Sequence, residues 1–195
     1  FNLFFYIWYH IYMAKKIMNE QEMEEILKTS ASLIEKGFGE KSFYIIGIKR
    51  RGAVLADRIK KFFTNPEIPV GYLDINLYRD DFSKIGAHPI VLQTDIFFDI
   101  DDKQILLVDD VLFTGRTIRV ALDAITDLGR PSMVKLFVLI DRGHREMPIQ
   151  ADFIGKVINT SVEEMVEVRV KEIDKTDEVL LLGKNDMALK RPNRS

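Results

Sequence analysis

The chain has 195 residues, and its 28 basic and 30 acidic side chains leave a net charge of −2. This length predicts one domain whose core is large enough to fold unaided. A hydrophobic content of 47% with 30% charged residues excludes a disordered or fibrous chain. The near-neutral charge also excludes nucleic-acid binding through bulk charge, so any such binding needs a local patch. The absence of cysteine excludes disulfides, a thiol nucleophile and cysteine-ligated zinc, and it fits a cytoplasmic location.

The first thirteen residues differ in composition from the rest, because they hold seven of the chain's twenty aromatic residues. A membrane-spanning helix needs about 18 consecutive apolar residues, and His10 and Lys15 bound a shorter run here. The basic start and small-residue cleavage site of a signal peptide are both absent. We therefore predict that residues 1–16 are a non-native or disordered extension, with translation starting at Met13 or Met18. The alternative is a hydrophobic arm that packs on a partner.

A helix is the first element predicted beyond this extension. Apolar residues fall on one helical face from Met23 to Ile34, and this face includes Leu33. Asn19 is a suitable cap at the start, and Gly37 a suitable stop at the end.

Strand and helix patterns then alternate. An apolar strand is predicted at residues 43–46, a helix at 52–63 and a second strand at 70–78. Residues 79–89 are polar and contain Gly and Pro, so they predict a long mobile loop.

The second half of the chain continues the alternation. Residues 105–108 form an apolar run typical of a buried parallel strand, 117–128 a helix and 134–140 another strand. Shorter strand candidates lie near Phe153, at 165–170 and at 179–182. The order predicts an α/β fold with a mostly parallel sheet and helices on both faces. The polar residues from 184 to 195 are predicted to be a flexible tail.

The junction from residue 105 to residue 117 carries most of the recognisable chemistry. Asp109 and Asp110 follow the buried run, at the strand end where open α/β sheets bind ligands. Thr114 to Thr117 then surround the start of a helix, whose free N–H groups favour a phosphate. Carboxylates beside a phosphate site suit ribose hydroxyls, so the chemistry indicates a ribose-5-phosphate receptor. The alternative is a solvated turn with a helix-capping aspartate.

The segment VDDVLFTGRT closely resembles the PRPP-binding signature of type I phosphoribosyltransferases. The resemblance extends to IGIKRRG at 46–52, DINLYRDDFSK at 74–84 and DRGHREMPIQADFIGK at 141–156, which are similar to the PyrR family. Members of that family are uracil phosphoribosyltransferases, and many also bind pyrimidine-operon leader mRNA. The resemblance implies a type I phosphoribosyltransferase fold over residues 17–183, with a small hood and a mobile loop.

The resemblance also implies roles for individual residues. Those expected to be catalytic are Asp109 and Asp110, which would hold the ribose hydroxyls, and Arg79 on the mobile loop. Those expected to bind the 5-phosphate are Thr114, Gly115, Arg116 and Thr117. Those expected near pyrophosphate are Lys49, Arg50, Arg51, Gly52, Asp80 and Asp81. Those expected in the hood that receives the base are Asp141, Arg142, His144, Arg145, Phe153, Ile154, Gly155 and Lys156. The alternative for residues 49–51 is a solvated turn that binds no ligand, and the alternative for His144 is a surface position.

The implied cofactor is Mg²⁺, which PRPP carries in and which Asp109 and Asp110 could contact. The implied ligands are PRPP, uracil and UMP, and the implied assembly is a homodimer or a higher homo-oligomer. Two alternatives stay open: a regulator that only senses these ligands, and a transferase for another base.

One part of the sequence departs from the family pattern. Glu20, Glu22, Glu24 and Glu25 precede a lone Lys28 in the first helix, and Gln150 stands where an Arg would suit the family. Carboxylates repel a phosphate backbone, so the sequence predicts that binding of leader mRNA is weak or absent.

Overall fold

The computed structural model describes residues 14–39, 41–76 and 90–183. Its strands are β1 (Ala14–Met18), β2 (Phe43–Ile48), β3 (Val70–Asn76), β4 (Ile90–Asp95), β5 (Gln104–Leu112), β6 (Met133–Asp141), β7 (Phe153–Val157), β8 (Met165–Arg169) and β9 (Glu178–Leu182). Its helices are α1 (Glu20–Phe38), α2 (Arg51–Lys60), α3 (Arg116–Leu128) and α4 (Lys171–Asp174). The predicted alternation of strands and helices is confirmed. The chain folds into two compact units.

The larger unit, residues 25–158, contains a six-stranded sheet in the order β4-β3-β2-β5-β6-β7. Strands β3, β2, β5, β6 and β7 are parallel, and β4 pairs antiparallel with β3. Strands β2 and β5 are buried along nearly their whole length because central parallel strands are covered on both faces. The predicted α/β class with a mostly parallel sheet is therefore confirmed.

Helices cover both faces of this sheet. Ile118, Ala121 and Ile125 of α3 share one buried cluster with side chains of β2, β3, β5 and β6. Helix α2 packs on the opposite face, where a Cβ added at Gly47 would lie 2.7 Å from Ala53 Cα and 3.0 Å from Ala56 Cβ. This close approach seats α2 directly after β2 and brings the start of α2 to the edge of the sheet.

Helix α1 begins as the sequence predicts and ends slightly later. Asn19 Oδ1 accepts a hydrogen bond from Glu22 N at 2.9 Å, and Asn19 N donates to the Glu22 carboxylate at 2.8 Å, which is a reciprocal capping box. The stop is Gly39 rather than Gly37, because Gly39 adopts the left-handed conformation at φ +69°. Leu33, predicted to be buried, is 54% exposed, so the buried face is narrower than the apolar pattern indicated.

The smaller unit comprises the described residues 14–24 and 159–183, and its sheet is antiparallel in the order β1-β9-β8. Lys16 and Arg169 form ion pairs with Glu178 at 2.8 Å and 3.0 Å. The hydrogen bond from Lys16 is the main reason that the pKa of Glu178 lies below its ordinary value.

Strand β1 corrects the predicted N-terminal boundary. Ala14, Lys15 and Lys16 pair with Leu182, Leu181 and Leu180 of β9. The extension predicted over residues 1–16 therefore ends no later than residue 13, and residues 1–13 lie outside the described residues. The predicted tail, residues 184–195, also lies outside them.

Two further elements differ from the prediction. Strand β5 continues to Leu112, so the aspartate pair lies within the strand rather than after it. Strand β4 was not predicted, and it begins directly after residues 77–89. These residues lie outside the described residues and include the whole of the predicted mobile loop, 79–89.

Candidate active site

The carboxyl edge of the larger sheet brings three predicted segments together. Gly47 of β2 pairs with Val108 of β5, so the residues that follow β2 begin beside the aspartate pair. Leu112, the last residue of β5, pairs with Asp141, the last residue of β6. The chain segments that leave β2, β5 and β6 therefore meet at one edge, as expected for a ligand site in an open α/β sheet.

Asp109 and Asp110 occupy different environments although they are adjacent. Asp109 is 6% exposed, whereas Asp110 is half-buried. Successive strand residues point to opposite faces of a sheet. Each carboxylate is oriented by the backbone, because Asp109 Oδ1 accepts from Asp110 N and Asp110 Oδ1 accepts from Val111 N, both at 2.9 Å. The strand thus presents two preoriented carboxylates at the edge.

Gly52 allows the start of α2 to contact this strand. A Cβ at Gly52 would lie 2.6 Å from Val108 O, 3.0 Å from Asp109 Cα and 3.2 Å from Asp109 Oδ1. Only a residue without a side chain permits this approach, so Gly52 places the turn of residues 49–51 against Asp109.

The predicted pyrophosphate turn, residues 49–51, joins β2 to α2 and contains a cis peptide bond between Lys49 and Arg50. Arg50 is the N-cap of α2, and Arg51 is its first residue. The Lys49 ammonium group forms an ion pair of 2.5 Å with Asp95, at the end of β4. The turn therefore concentrates three cationic side chains at a helix N-terminus, where an anion is favoured.

The phosphate loop, residues 114–117, forms the N-terminus of α3. Gly115 is its N-cap at φ +87°, a left-handed conformation that favours glycine. A Cβ at Gly115 would lie 3.1 Å from Met147 Cβ, so the next loop of the chain packs closely here. As a glycine, the N-cap offers no side chain to the first N–H groups of α3, and Thr114 Oγ1 accepts from Arg116 N at a long 3.4 Å. Arg116 extends to Glu146, with its Nη2 2.6 Å from the carboxylate.

The loop between β6 and β7, residues 142–152, completes the edge. The Arg142 guanidinium lies 4.0 Å from the centre of the Phe113 ring. The centres of the His144 and Phe113 rings are 6.0 Å apart, and the two rings meet edge-on. His144 is exposed and its ring lies edge-on to Phe113, so a base-contacting role and a surface position both stay open for it. Asp141 Oδ1 accepts from Gly143 N at 2.9 Å.

Phe113 is the site residue that sequence reasoning missed. It lies inside the VDDVLFTGRT motif, between the aspartate pair and the phosphate loop. Its aromatic character within a polar turn was the available signal. The contacts of Phe113 with Arg142 and His144 show that it anchors the following loop.

The predicted base residues on β7 lie at successive levels of the strand. Phe153 pairs with Phe137 and packs against Phe38, with ring centres 6.4 Å apart. Ile154 pairs with Val138, the residue of β6 that also pairs with Asp109, and Lys156 pairs with Ile140. The end of β7 is therefore level with the aspartate pair, and a base-contacting role stays a prediction for all four residues.

The remaining predicted residues, Arg79, Asp80 and Asp81, lie outside the described residues.

Among residues 14–39, 41–76 and 90–183, no group of three or more His, Cys, Asp or Glu side chains could hold a metal ion. No helix in this part of the chain is long and apolar enough to span a membrane.

Comparison with known proteins identifies the class of protein defined by this fold and site. The family model of the phosphoribosyl transferase domain matches residues 13–173. A hypoxanthine-guanine phosphoribosyltransferase from Bacillus anthracis has a similar structure, with a TM-score of 0.70 at 19% identity over 87% of this chain and 98% of that chain. A hypoxanthine phosphoribosyltransferase from Staphylococcus aureus gives a TM-score of 0.73 at 17% identity over 94% and 97% of the two chains. At these identities the structural likeness shows the fold alone.

Closer relatives identify the family within this class. The chain is 50% identical over 175 residues to the bifunctional protein PyrR of Ligilactobacillus salivarius, and the aligned region covers 87% of this chain and 98% of that protein. It is 50% identical over 181 residues to the bifunctional protein PyrR of Alkaliphilus metalliredigens, and the aligned region covers 90% of this chain and 100% of that protein. The chain belongs to the PyrR family, as its motifs predicted.

Proposed function

We propose that this protein is a uracil phosphoribosyltransferase, which converts uracil and PRPP to UMP and pyrophosphate. The observation that carries the proposal is the placement of Asp109 and Asp110 between a cationic turn and the N-terminus of α3. One edge of one sheet thus offers acceptors for ribose hydroxyls and donors for two phosphate groups. These are the three parts of PRPP that a transferase must hold.

Each end of PRPP finds a suitable partner at this edge. The first N–H groups of α3 and the hydroxyls of Thr114 and Thr117 hold the 5-phosphate, because a helix N-terminus favours an anion. Asp109 and Asp110 accept hydrogen bonds from the ribose hydroxyls, and bonds to charged acceptors are the strong ones. The pyrophosphate is assigned to the cationic turn of Lys49, Arg50 and Arg51, in which Lys49 is held by its ion pair with Asp95.

The reaction needs stabilisation of opposite charges on either side of one breaking bond. Uracil N1 attacks C1 of the ribose, while the C1–O bond to pyrophosphate breaks and its electron pair leaves with the pyrophosphate. The proton of uracil N1 is released and is taken up by the pyrophosphate or by water. Positive charge builds on the sugar ring, where the carboxylates of Asp109 and Asp110 stabilise it. Negative charge builds on the leaving group, where the cationic turn stabilises it.

The carboxylates at this edge of the sheet fit a magnesium ion carried by the substrate. Two carboxylates provide hard oxygen ligands, and the described residues offer no larger cluster that would form a protein cage. Asp109 and Asp110 would contact the ion, directly or through water. When bound, Mg²⁺ supplies positive charge to the leaving pyrophosphate.

The identity of the base is tested with a panel of acceptors. Purified full-length protein is incubated with PRPP, Mg²⁺ and uracil, hypoxanthine, guanine or orotate, and nucleotide products are separated by chromatography. We expect UMP as the main product. A main product from another base would contradict the uracil assignment, and no product with any base would favour a regulator that only senses its ligands.

Replacing Arg79 with alanine tests the mobile loop. We expect kcat/KM for PRPP to fall about tenfold, because an arginine that contacts a leaving pyrophosphate acts most strongly in the transition state. Steady-state kinetics below saturating PRPP measure the effect. Arg130→Ala, which removes an exposed arginine just before β6, is the control. Wild-type kinetics for Arg79→Ala would show that Arg79 takes no part in catalysis.

Binding of pyrimidine-operon leader mRNA is the second function that the family resemblance implies, and we expect it to be weak or absent here. Glu20, Glu22, Glu24 and Glu25 are all exposed along the start of α1, and Gln150 is exposed in the loop after β6. Electrostatic binding of RNA depends on Lys and Arg that neutralise phosphates.

The test is titration of a leader stem-loop with UMP present at physiological salt. We expect no preference over a scrambled stem, and we expect Gln150→Arg to increase the affinity. Submicromolar, salt-sensitive binding of the wild-type protein that exceeds binding of the scrambled stem would contradict this prediction.

Homo-oligomerisation and a cytoplasmic location stay predictions from the sequence.

A further inference from the structure

Arg145, predicted to contact the base, donates its hydrogen bonds to the protein itself. Its Nη2 pairs with Asp141 Oδ2 at 2.5 Å. Its Nε donates to Ile149 O at 3.0 Å, and its Nη1 donates to Gly143 O at 2.9 Å. All three guanidinium nitrogens are therefore engaged, and they hold the loop of residues 142–152 in one shape around the arginine.

The same guanidinium also reaches the end of β5. Nη1 lies 2.8 Å from Phe113 O and 3.3 Å from Leu112 O. Together with Val111, these two residues connect the aspartate pair to the phosphate loop, and Phe113 directly precedes Thr114. Arg145 thus joins the exit of β6 to the segment that enters the phosphate loop.

Neighbouring contacts continue this connection. Thr114 O accepts from Glu146 N at 2.9 Å and from Met147 N at 3.0 Å. Met147 also lies against Gly115, the N-cap of α3. The residues on either side of Arg145 therefore support the backbone that would contact the 5-phosphate.

We propose that Arg145 is a positioning residue that fixes the phosphate loop for PRPP and makes no contact with the base. The inference rests on the proposed function. Arginine suits this role because its planar fork of donors reaches several fixed carbonyls at once, whereas lysine carries one ammonium group. Preformed loop geometry spares the protein the cost of ordering the loop when the ligand binds.

The experiment compares Arg145→Lys and Arg145→Met in the full-length chain. We expect both to bind PRPP with Mg²⁺ about tenfold more weakly by calorimetry, the loss typical of a few hydrogen bonds. We also expect KM for PRPP to rise by a similar factor while KM for uracil changes less than about twofold. The control is Arg169→Met, which removes an arginine of similar burial that pairs with Glu167 and Glu178 in the smaller unit.

A second measurement follows the loop without any ligand. Hydrogen exchange of the amides of residues 113–117 is expected to become faster in Arg145→Lys and to stay unchanged in Arg169→Met. Arg145→Lys keeps a positive charge beside Asp141, so it serves as the variant that folds if Arg145→Met does not.

Two results would overturn the proposal. Wild-type PRPP affinity and exchange in Arg145→Lys would show that only the charge beside Asp141 matters. A rise confined to KM for uracil would show that Arg145 contacts the base. Failure of the wild-type protein to bind PRPP would refute the proposed function, and the exchange rates of residues 113–117 would still decide whether Arg145 orders this loop.

Discussion

Replacing Asp109 and Asp110 together with asparagine is expected to lower the rate of UMP synthesis by about a hundredfold or more, with the fold intact. Preoriented charges at a reacting centre commonly contribute about this much to a rate. The amide groups keep the size of the side chains but remove two negative charges beside the ribose ring. They also replace charged acceptors for the ribose hydroxyls with neutral ones.

The measurement is kcat and KM for PRPP, together with thermal unfolding of each variant. The matched control is Asp123→Asn with Asp127→Asn, which removes the same charge from exposed positions on α3. We expect the control to keep wild-type kinetics. Turnover close to wild type in the Asp109 and Asp110 double variant would remove the central claim about this site.

Features that depend on neighbours in sequence were predicted well. Asn19 was predicted as the cap of α1, and its hydrogen bonds reach only to Glu22, three residues along the chain. The apolar run at 105–108 is typical of a central parallel strand because both faces of such a strand are covered. The order of strands and helices, and with it the edge that holds the site, follows from such local signals.

Features that depend on distant partners were not predicted. Residues 14–16 form a strand only because β9, near the other end of the described chain, provides its hydrogen-bonding partner. Strand β4 is likewise defined by pairing with β3. Leu33 has the spacing of a buried residue, but the packing around α1 leaves it exposed. Periodicity reports which face is apolar and not how much of it is covered.

In the candidate site, too, local features could be predicted and features that depend on distant contacts could not. The motifs identify which residues lie at the edge, but they do not show what each side chain contacts. Phe153 lies in a matching motif and is nevertheless held within the sheet by Phe137 and Phe38. Arg145 lies in the same motif and is engaged by backbone carbonyls of two segments. Both outcomes depend on tertiary contacts that a motif does not encode.

Gly52 is the position where the smallest substitution is expected to have a large effect on catalysis. Its added Cβ would meet Val108 O at 2.6 Å, and a backbone carbonyl in a central strand cannot move aside. Strand β5 is held by β2 on one side and β6 on the other, so the start of α2 must shift instead. That shift carries Lys49, Arg50 and Arg51 away from Asp109.

We therefore expect Gly52→Ala to lower kcat/KM for PRPP about tenfold or more, since small errors in the placement of reacting groups reduce rates strongly. The stability change should be modest, because overpacking costs about 1–3 kcal/mol and alanine in a helix regains up to about 1 kcal/mol over glycine. Gly129→Ala is the matched control, because its Cβ would lie 2.6 Å from Asp101 Oδ1 and 2.8 Å from Ile100 Cγ1, between α3 and β6 at the opposite edge of the sheet. Kinetics and thermal unfolding of both variants separate the effect on catalysis from the effect on stability. A Gly52→Ala variant that is destabilised like Gly129→Ala but keeps wild-type kcat/KM would show that the turn after β2 does not need its close contact with Asp109.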